Sequence, residues 1–357
     1  LIRNSKSIGI VAGGDVVTSG SRQALVALSE KIGAGVHLEI VCGQFPFPSR
    51  HPHFLGRVGP DGAAHRDVLG EYDTVLLVGG PFFEDVWHSE VSPFADAVTL
   101  IQIEPTESRL AHNFQLTLGI AADIKDTLER LLKLVGNEII YDERCKALKK
   151  HYLIRKEDAE SQFAKAKERS PMTPARAMYE LGRALPDNVV ISEESITAAP
   201  DVHRNFDVGG KTAFYAPRGG GIGHGLCGCL GVAVAHRGEQ VVAISGDGSA
   251  MYSIQGLWTA AYHKLKILFV ILSNREYRIL KHNMNNYRRR FDVKSNGPYV
   301  FMDLTEPCLN FVEMAEGMGV PGRKVDNPTD IANAVSEALT MEGPYILDLV
   351  VEGLDPN

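Results

Sequence analysis

Two side chains stand where a phosphate-bound cation would need them. Asp247 lies in Gly246-Asp247-Gly248-Ser249, directly after the apolar run Gln240–Ser245, and Asn274 follows the apolar run Ile267–Ser273. Between Gly248 and Asn274 there are 25 residues, room for one crossover helix joining two strands. Strand, helix, strand in a parallel sheet sets the two carboxyl ends side by side, and open α/β sheets bind ligands at those ends. A carboxylate oxygen and an amide oxygen would then converge, a donor set suited to a hard divalent cation. Magnesium favours a few protein oxygens completed by water and phosphate. Gly246 and Gly248 let the backbone approach a phosphate, and the amides of the following helix start attract an anion. Taken singly, an Asp beside glycine is commonly a turn, and so is an Asn closing a strand. Their joint spacing is what describes a metal-bridged diphosphate site.

A second pattern overlaps the first. Arg218–Gly231 holds Gly219, Gly220, Gly221, Gly223, Gly225 and Gly228, and the strand-like Thr212–Ala216 precedes it. Gly223-x-Gly225-x-x-Gly228 satisfies the dinucleotide fingerprint, with Asp247 about 20 residues further on as the ribose ligand of an NAD-dependent dehydrogenase. The plainer alternative is that these glycines only permit tight helix–sheet packing. The dinucleotide reading leaves Asn274 and the glycines flanking Asp247 without a role.

The elements that must position these residues alternate in type. Ser7–Ala12, Val36–Val41, Thr74–Val78 and Thr99–Ile103 read as strands, with helical spacing over Ser21–Ile32 and Ile124–Val135. A second series follows, with strands at Val189–Ser192, Thr212–Ala216, Gln240–Ser245, Ile267–Ser273 and Tyr345–Val351. Thr173-Pro174 opens a helix over Ala175–Leu185, and further helices are expected at about Ile254–His263, Leu309–Met318 and Ile331–Thr340. Alternation of this kind predicts α/β architecture with two doubly wound parallel sheets. We expect a Rossmann-like domain over 1–140, a charged helical connector over 141–172, and the domain carrying Asp247 over 173–357.

Composition narrows the partners. The chain has 357 residues, enough for about two domains. With 37 basic and 44 acidic side chains the net charge is −7, and neither half is strongly basic, which argues against a nucleic-acid surface. No apolar run approaches the roughly 18 residues of a membrane span. Cys42, Cys145, Cys227, Cys229 and Cys308 are an odd, scattered set without Cys-x-x-Cys, so neither a disulfide framework nor a zinc site is expected, and a reducing, cytoplasmic setting is. His51-x-His53 lacks the further ligands zinc would need.

Gly246-Asp247-Gly248, 25 residues, then Asn274 resembles the thiamine diphosphate signature. The fuller run from Gly246 to Ala261 resembles the benzoylformate decarboxylase branch of the acetolactate synthase and 2-oxo acid decarboxylase superfamily, as do Phe47–Gly56 and the Gly343-Pro344 end. The resemblance spans both domains, a central and a diphosphate-binding one. It implies thiamine diphosphate and Mg2+ as cofactors, with decarboxylation or carboligation of a 2-oxo acid as the reaction. Asp247 and Asn274 would bind magnesium through side chains and Glu276 through its backbone carbonyl. Gly248, Ser249, Ser195 and Thr197 would meet diphosphate oxygens, and Gly220 would offer its carbonyl to the pyrimidine amino group. Ile222 matches the stiff aliphatic wedge that bends the cofactor. Tyr277 and Leu280 would lie near thiazolium and substrate. His51 matches a histidine that reaches the active site and exchanges protons there.

The resemblance also marks departures. Family members carry an amino-terminal pyrimidine-binding domain whose glutamate activates the cofactor, and Glu193 and Glu194 lie on the diphosphate side. Because position 1 is Leu, we expect that domain to come from a preceding segment or another chain. The chain alone would then bind the cofactor weakly and turn nothing over, or would serve as a non-catalytic scaffold. Relatives work as homo-oligomers, which the resemblance extends to this chain. Two aromatic residues that flank benzoylformate are replaced by Ala216 and Asn283, which removes the burial that selects a phenyl group. In the first domain, Gly13-Gly14 and Gly79-Gly80 end strands as an FAD or ADP site would require, but turn glycines are the favoured reading.

Overall fold

The computed structural model describes residues 1–354 except Val41, Asn137, Glu138 and Asn296. The chain forms two compact units, Leu1–Glu160 with Val208–Gly210, and Ser161–Asp207 with Lys211–Asn357. The division falls inside one 28-residue helix, Ile139–Ala166, which occupies most of the charged stretch. Among the described residues no helix is long and apolar enough to cross a membrane. None of the five cysteines, all among the described residues, forms a disulfide.

The first unit is a six-stranded parallel sheet: β1 (Ile8–Ala12), β2 (Gly35–Leu38), β3 (Phe54–Arg57), β4 (Thr74–Val78), β5 (Thr99–Glu104) and β6 (Leu118–Ala121). Their order is β3-β2-β1-β4-β5-β6, so the winding reverses between β1 and β4. Strand β2 is shorter than its apolar run because it leaves the ladder at Glu39, whose backbone N–H still bonds Ala12; Val41 lies outside the described residues. β3 and β6 carry too little apolar alternation to be read from sequence, and their residues are only partly covered. Val208–Gly210 belongs here because Ser49 and Val208 exchange hydrogen bonds.

The reversal point of this sheet is closed by the chain itself. A Cβ on Gly13 would lie 2.2 Å from the Gly79 carbonyl oxygen, so this glycine serves close strand-end packing. The Phe82–Phe83 segment crosses the carboxyl ends: Phe83 N–H donates to Glu39 Oε2 at 3.0 Å, and Asn113 Nδ2 donates to the Phe82 carbonyl at 3.0 Å. Phe83 packs with His65, Phe94 and Phe114. Glu104, also buried, accepts from Gly80 N–H.

Burial pushes the Glu39 carboxyl from an ordinary 4.5 up to about 7, against backbone hydrogen bonds that pull it down. The folded chain therefore keeps a proton that the unfolded chain has released, and stability present below about pH 4.5 is lost as pH rises toward 7. We expect Glu39→Gln to flatten this limb by up to about 1.4 kcal/mol per pH unit in urea titrations repeated across pH. An unchanged slope would assign the limb to other buried carboxylates such as Glu104.

The second unit is again six parallel strands: β7 (Val190–Glu194), β8 (Ala213–Tyr215), β9 (Val241–Gly246), β10 (Ile267–Ser273), β11 (Gly322–Val325) and β12 (Tyr345–Val350). Their order is β11-β12-β10-β9-β7-β8. β10 is buried along its whole length, as a central parallel strand covered on both faces must be, and it reads as a continuous apolar run. Its Ile267, Phe269 and Ile271 share a core with Leu226, Leu257, Phe311 and Ile346. Helices Pro174–Ala184, His224–Ala235, Gly256–Tyr262, Arg278–Arg290 and Ile331–Leu339 flank the sheet. Helix Pro174–Ala184 starts as its sequence dictates, with Thr173 accepting the Arg176 N–H.

Candidate functional site

In the second unit the chain lays β8 on one side of β7 and β9 on the other, so the winding reverses between β7 and β9. Ligand sites of open α/β sheets lie at such reversals, outside the carboxyl ends. β7 leads there into Ser195, β9 into Asp247 and β10 into Asn274. Gly246 pairs with Leu272 across the β9–β10 ladder, which levels the two ends.

Asp247 is 3% exposed. Its Oδ1 accepts from the Gly248 N–H at 2.8 Å and its Oδ2 from the Arg275 N–H at 2.6 Å. The carboxylate thus touches the residue that follows Asn274. Burial pushes the Asp247 carboxyl up to about 6; the two backbone donors oppose this, and the nearby Asp348 and Glu276 charges add to it. Each Asp247 oxygen keeps lone pairs beyond its one backbone donor. The Asn274 Oδ1 accepts from the Glu276 N–H at 3.0 Å, which folds residues 274–276 into a tight turn with Arg275 at φ +61°.

The acceptor atoms of Asp247 and the Asn274 side chain are oxygens, the donor type that fits a hard cation. Among the described residues no group of three or more His, Cys, Asp or Glu side chains is set to hold a metal. A cation here would draw on the Asn274 amide and backbone oxygen as well as Asp247. Gly248 sits under the Tyr277 ring: a Cβ would lie 2.8 Å from Tyr277 Cε1, so only glycine lets ring and turn meet. Ser249 is buried beside it.

The remaining sequence-derived candidates fall into three groups. Ser195 is buried and donates its hydroxyl to Glu193 at 2.5 Å, while Thr197 lies in the short turn Ile196–Ala198, which packs against helix Arg278–Arg290. Leu280, on that helix, is exposed, as are Ile222 and Gly220 in the loop before helix His224–Ala235. Gly219 and Gly220 have φ of +84° and +72° with open space around them, a backbone that side chains resist. His51 belongs to the first unit. Its Nε2 faces Glu30 Oε1 at 3.2 Å, its Nδ1 accepts from the His53 N–H, and its ring stands edge-on to Phe47.

Sequence reasoning missed Glu194. It closes β7, is 4% exposed, and grips the start of helix His224–Ala235 with both oxygens: Oε1 takes the Gly223 N–H and Oε2 the Gly225 N–H, each at 2.6 Å. A dinucleotide would place its diphosphate on these amides. The chain's own carboxylate already fills that place, so the fingerprint Gly223–Gly228 serves packing: a Cβ on Gly225 would lie 2.6 Å from Glu194 Cβ. A Glu-Glu pair closing a strand gives no sequence signal that one of its carboxylates reaches residue 223. Lys281 and Asp303 were missed likewise, because helix Arg278–Arg290 has no apolar stripe long enough to announce it.

Fold and site define an α/β protein with a buried carboxylate at the carboxyl end of β9, beside the reversal of its second sheet. Comparison with known proteins supplies the family. Residues 1–131 match the central domain of thiamine pyrophosphate enzymes and residues 199–349 their C-terminal thiamine pyrophosphate-binding domain. Benzoylformate decarboxylase of Pseudomonas aeruginosa is 26% identical over 357 residues, covering 99% of this chain and 63% of that protein. The acetolactate synthase large subunit of Buchnera aphidicola is 24% identical over 356 residues, covering 95% and 58%. The thiamine diphosphate-dependent 4-hydroxybenzoylformate decarboxylase of Rhodococcus jostii superposes with a TM-score of 0.82 at 24% identity, over 100% of this chain and 63% of that one. The chain belongs to the thiamine pyrophosphate enzymes and carries their central and C-terminal domains. It spans less than two thirds of the length of these relatives.

Removing the Glu194 carboxylate strands two helix-start amides in a buried setting. Glu194→Ala is expected to cost about 1–3 kcal/mol in urea unfolding. Glu194→Gln, which keeps one acceptor, should recover part of the loss.

Proposed function

We propose that the chain is the cofactor-anchoring part of a thiamine diphosphate- and Mg2+-dependent enzyme that decarboxylates or carboligates a 2-oxo acid. The observation that carries this reading is the buried Asp247 carboxylate bonded to the amide next to Asn274, at the reversal of the second sheet. Asp247 and Asn274 hold Mg2+ through side-chain oxygens and Glu276 through its carbonyl. Gly248, Ser249, Ser195 and Thr197 receive the diphosphate, where backbone and hydroxyl donors replace water. When bound, thiamine diphosphate supplies the electron sink that decarboxylation of a 2-oxo acid requires.

The chain's own residues bind and orient. The Gly220 carbonyl accepts the pyrimidine amino group, and the β-branched Ile222 presses the cofactor into a bent shape with little rotamer freedom to lose. Tyr277 and Leu280 exclude water on the substrate side. His51 of the first unit exchanges the substrate's proton. Ala216 and Asn283 leave the substrate pocket without flanking rings, so aliphatic 2-oxo acids suit it as well as aromatic ones. A pyrimidine-binding domain, from a preceding segment or another chain, completes the site. Exposed Trp258 and Tyr262, stacked at 5.3 Å, with Tyr252 and Val234, give the second unit an apolar surface of the kind that partners cover.

The test is thiamine diphosphate binding by the 357-residue chain, followed by calorimetry with and without Mg2+. Binding should need Mg2+ and fall at least about tenfold in Asp247→Ala, the usual reach of a lost metal contact or more. NADH should not bind. The same titration carries a pH signature. Without a cation the Asp247 carboxyl takes its proton at about pH 6. Below that pH a proton competes with the metal, and the Mg2+ affinity should drop by about one decade per pH unit. Binding indifferent to Mg2+ would sink the reading. Turnover is expected only when a pyrimidine-binding domain is supplied; robust decarboxylation by the chain alone would contradict that part.

A further inference from the structure

The turn Asn274–Tyr277 is held by an ion cluster centred on the buried pair Glu276 and Lys281. Glu276 has a side chain only 5% exposed, and Lys281, five residues on in helix Arg278–Arg290, is 9% exposed. Lys281 Nζ bonds Glu276 Oε2 and donates to Asp303 Oδ1 at 2.6 Å, above the Tyr299 ring at 5.4 Å. The second Glu276 oxygen accepts the Leu354 N–H at 2.5 Å. Burial pulls the Lys281 ammonium down, but its bonds to Asp303 and Glu276 win and hold it above its ordinary value, so it is charged at neutral pH.

Backbone bonds join the same cluster. Residues 302–304 run antiparallel to the turn: Tyr277 N–H donates to Met302, Leu304 N–H to Arg275, each at 2.8 Å, with Glu276 opposite Asp303. Lys281 thus grips the Glu276 side chain and, through Asp303, the segment that bonds the peptides on either side of Glu276, while Asn274 Oδ1 holds the Glu276 N–H. Arg275, at a positive φ that a non-glycine residue adopts only at a cost, keeps that conformation because both neighbours are pinned.

We propose that Lys281 is a positioning residue for the cation: by clamping Glu276 and Asp303 it aims the Glu276 carbonyl and the Asn274 amide at the point where Asp247 ends. Lys281 touches neither metal nor cofactor. This rests on the reading of Asp247 and Asn274 as cation ligands. The sign of the effect separates geometry from charge. Deleting a positive charge near a cation site strengthens binding if only Coulomb repulsion matters. Deleting a clamp weakens it, by roughly 10–100-fold for partners that orient metal ligands.

The experiment titrates Mn2+, read by its electron paramagnetic resonance signal, into the 357-residue chain with thiamine diphosphate present. Wild type, Lys281→Met, Lys281→Arg, Glu276→Gln and the double variant Glu276→Gln/Lys281→Met are compared, with Asp247→Ala as control and thermal melts without metal alongside. Lys281→Met should raise the Mn2+ dissociation constant at least about tenfold, and Lys281→Arg should recover much of it. Glu276→Gln keeps the backbone carbonyl yet should also weaken Mn2+, and the double variant should be no weaker than Lys281→Met, because the pair acts as a unit. Unchanged or tighter Mn2+ binding in Lys281→Met overturns the proposal while leaving the ligand reading intact. So does a loss in Lys281→Met that Glu276→Gln does not share. If wild type holds no Mn2+ beyond the Asp247→Ala control, the ligand reading fails and the proposal falls with it.

Discussion

A carboxylate buried at the end of a central strand is the constraint on which the second unit turns. Asp247 has surrendered its water, and two backbone N–H groups alone do not cancel the penalty, since its carboxyl stays well above the ordinary range. Asp348 and Glu276 lie close enough to make matters worse. A fold optimised for stability alone would replace such a group with an apolar or neutral one. Its retention at the reversal of a doubly wound sheet is intelligible if an external positive charge completes the set.

Around that point the protein neutralises one negative charge and leaves another. Glu276 is matched by Lys281, which also reaches the exposed Asp303. The Asp247 carboxylate is bonded by backbone amides and by no side-chain cation among the described residues. The same rule governs the glycine-rich segment. Amides at a helix start attract an anion, and here the anion is Glu194 of the neighbouring strand. That helix start is thereby sealed.

The two units share a winding but not its use. Each is a six-stranded parallel sheet with one reversal. In the first, the crevice at the reversal is crossed by Phe82–Phe83, tied to Glu39 on one side and Asn113 on the other. In the second, the strands end in polar residues, Ser195 after β7, Asp247 after β9 and Asn274 after β10.

Much of this was legible in the chain. Apolar runs such as Ile267–Ser273 fixed the central strands, because a strand buried on both faces needs apolar residues at every position. The spacing of Asp247 and Asn274 fixed a strand–helix–strand unit, and with it the adjacency of the two residues, since a right-handed crossover between parallel neighbours has few alternatives. What the sequence left open were β3, β6 and β11, whose mixed residues carry no periodic signal, and the choice between two uses of Gly223–Gly228. That choice depends on Glu194, which is 29 residues from its first partner, and on whether its carboxylate reaches the helix start. The clamp of Lys281 on Glu276 and Asp303 likewise joins residues 5 and 22 positions apart. Local pattern determines which elements form, because backbone geometry repeats over a few residues. Which buried charge meets which partner is decided only when distant segments pack, since Coulomb attraction and desolvation depend on distance in space and not on distance along the chain.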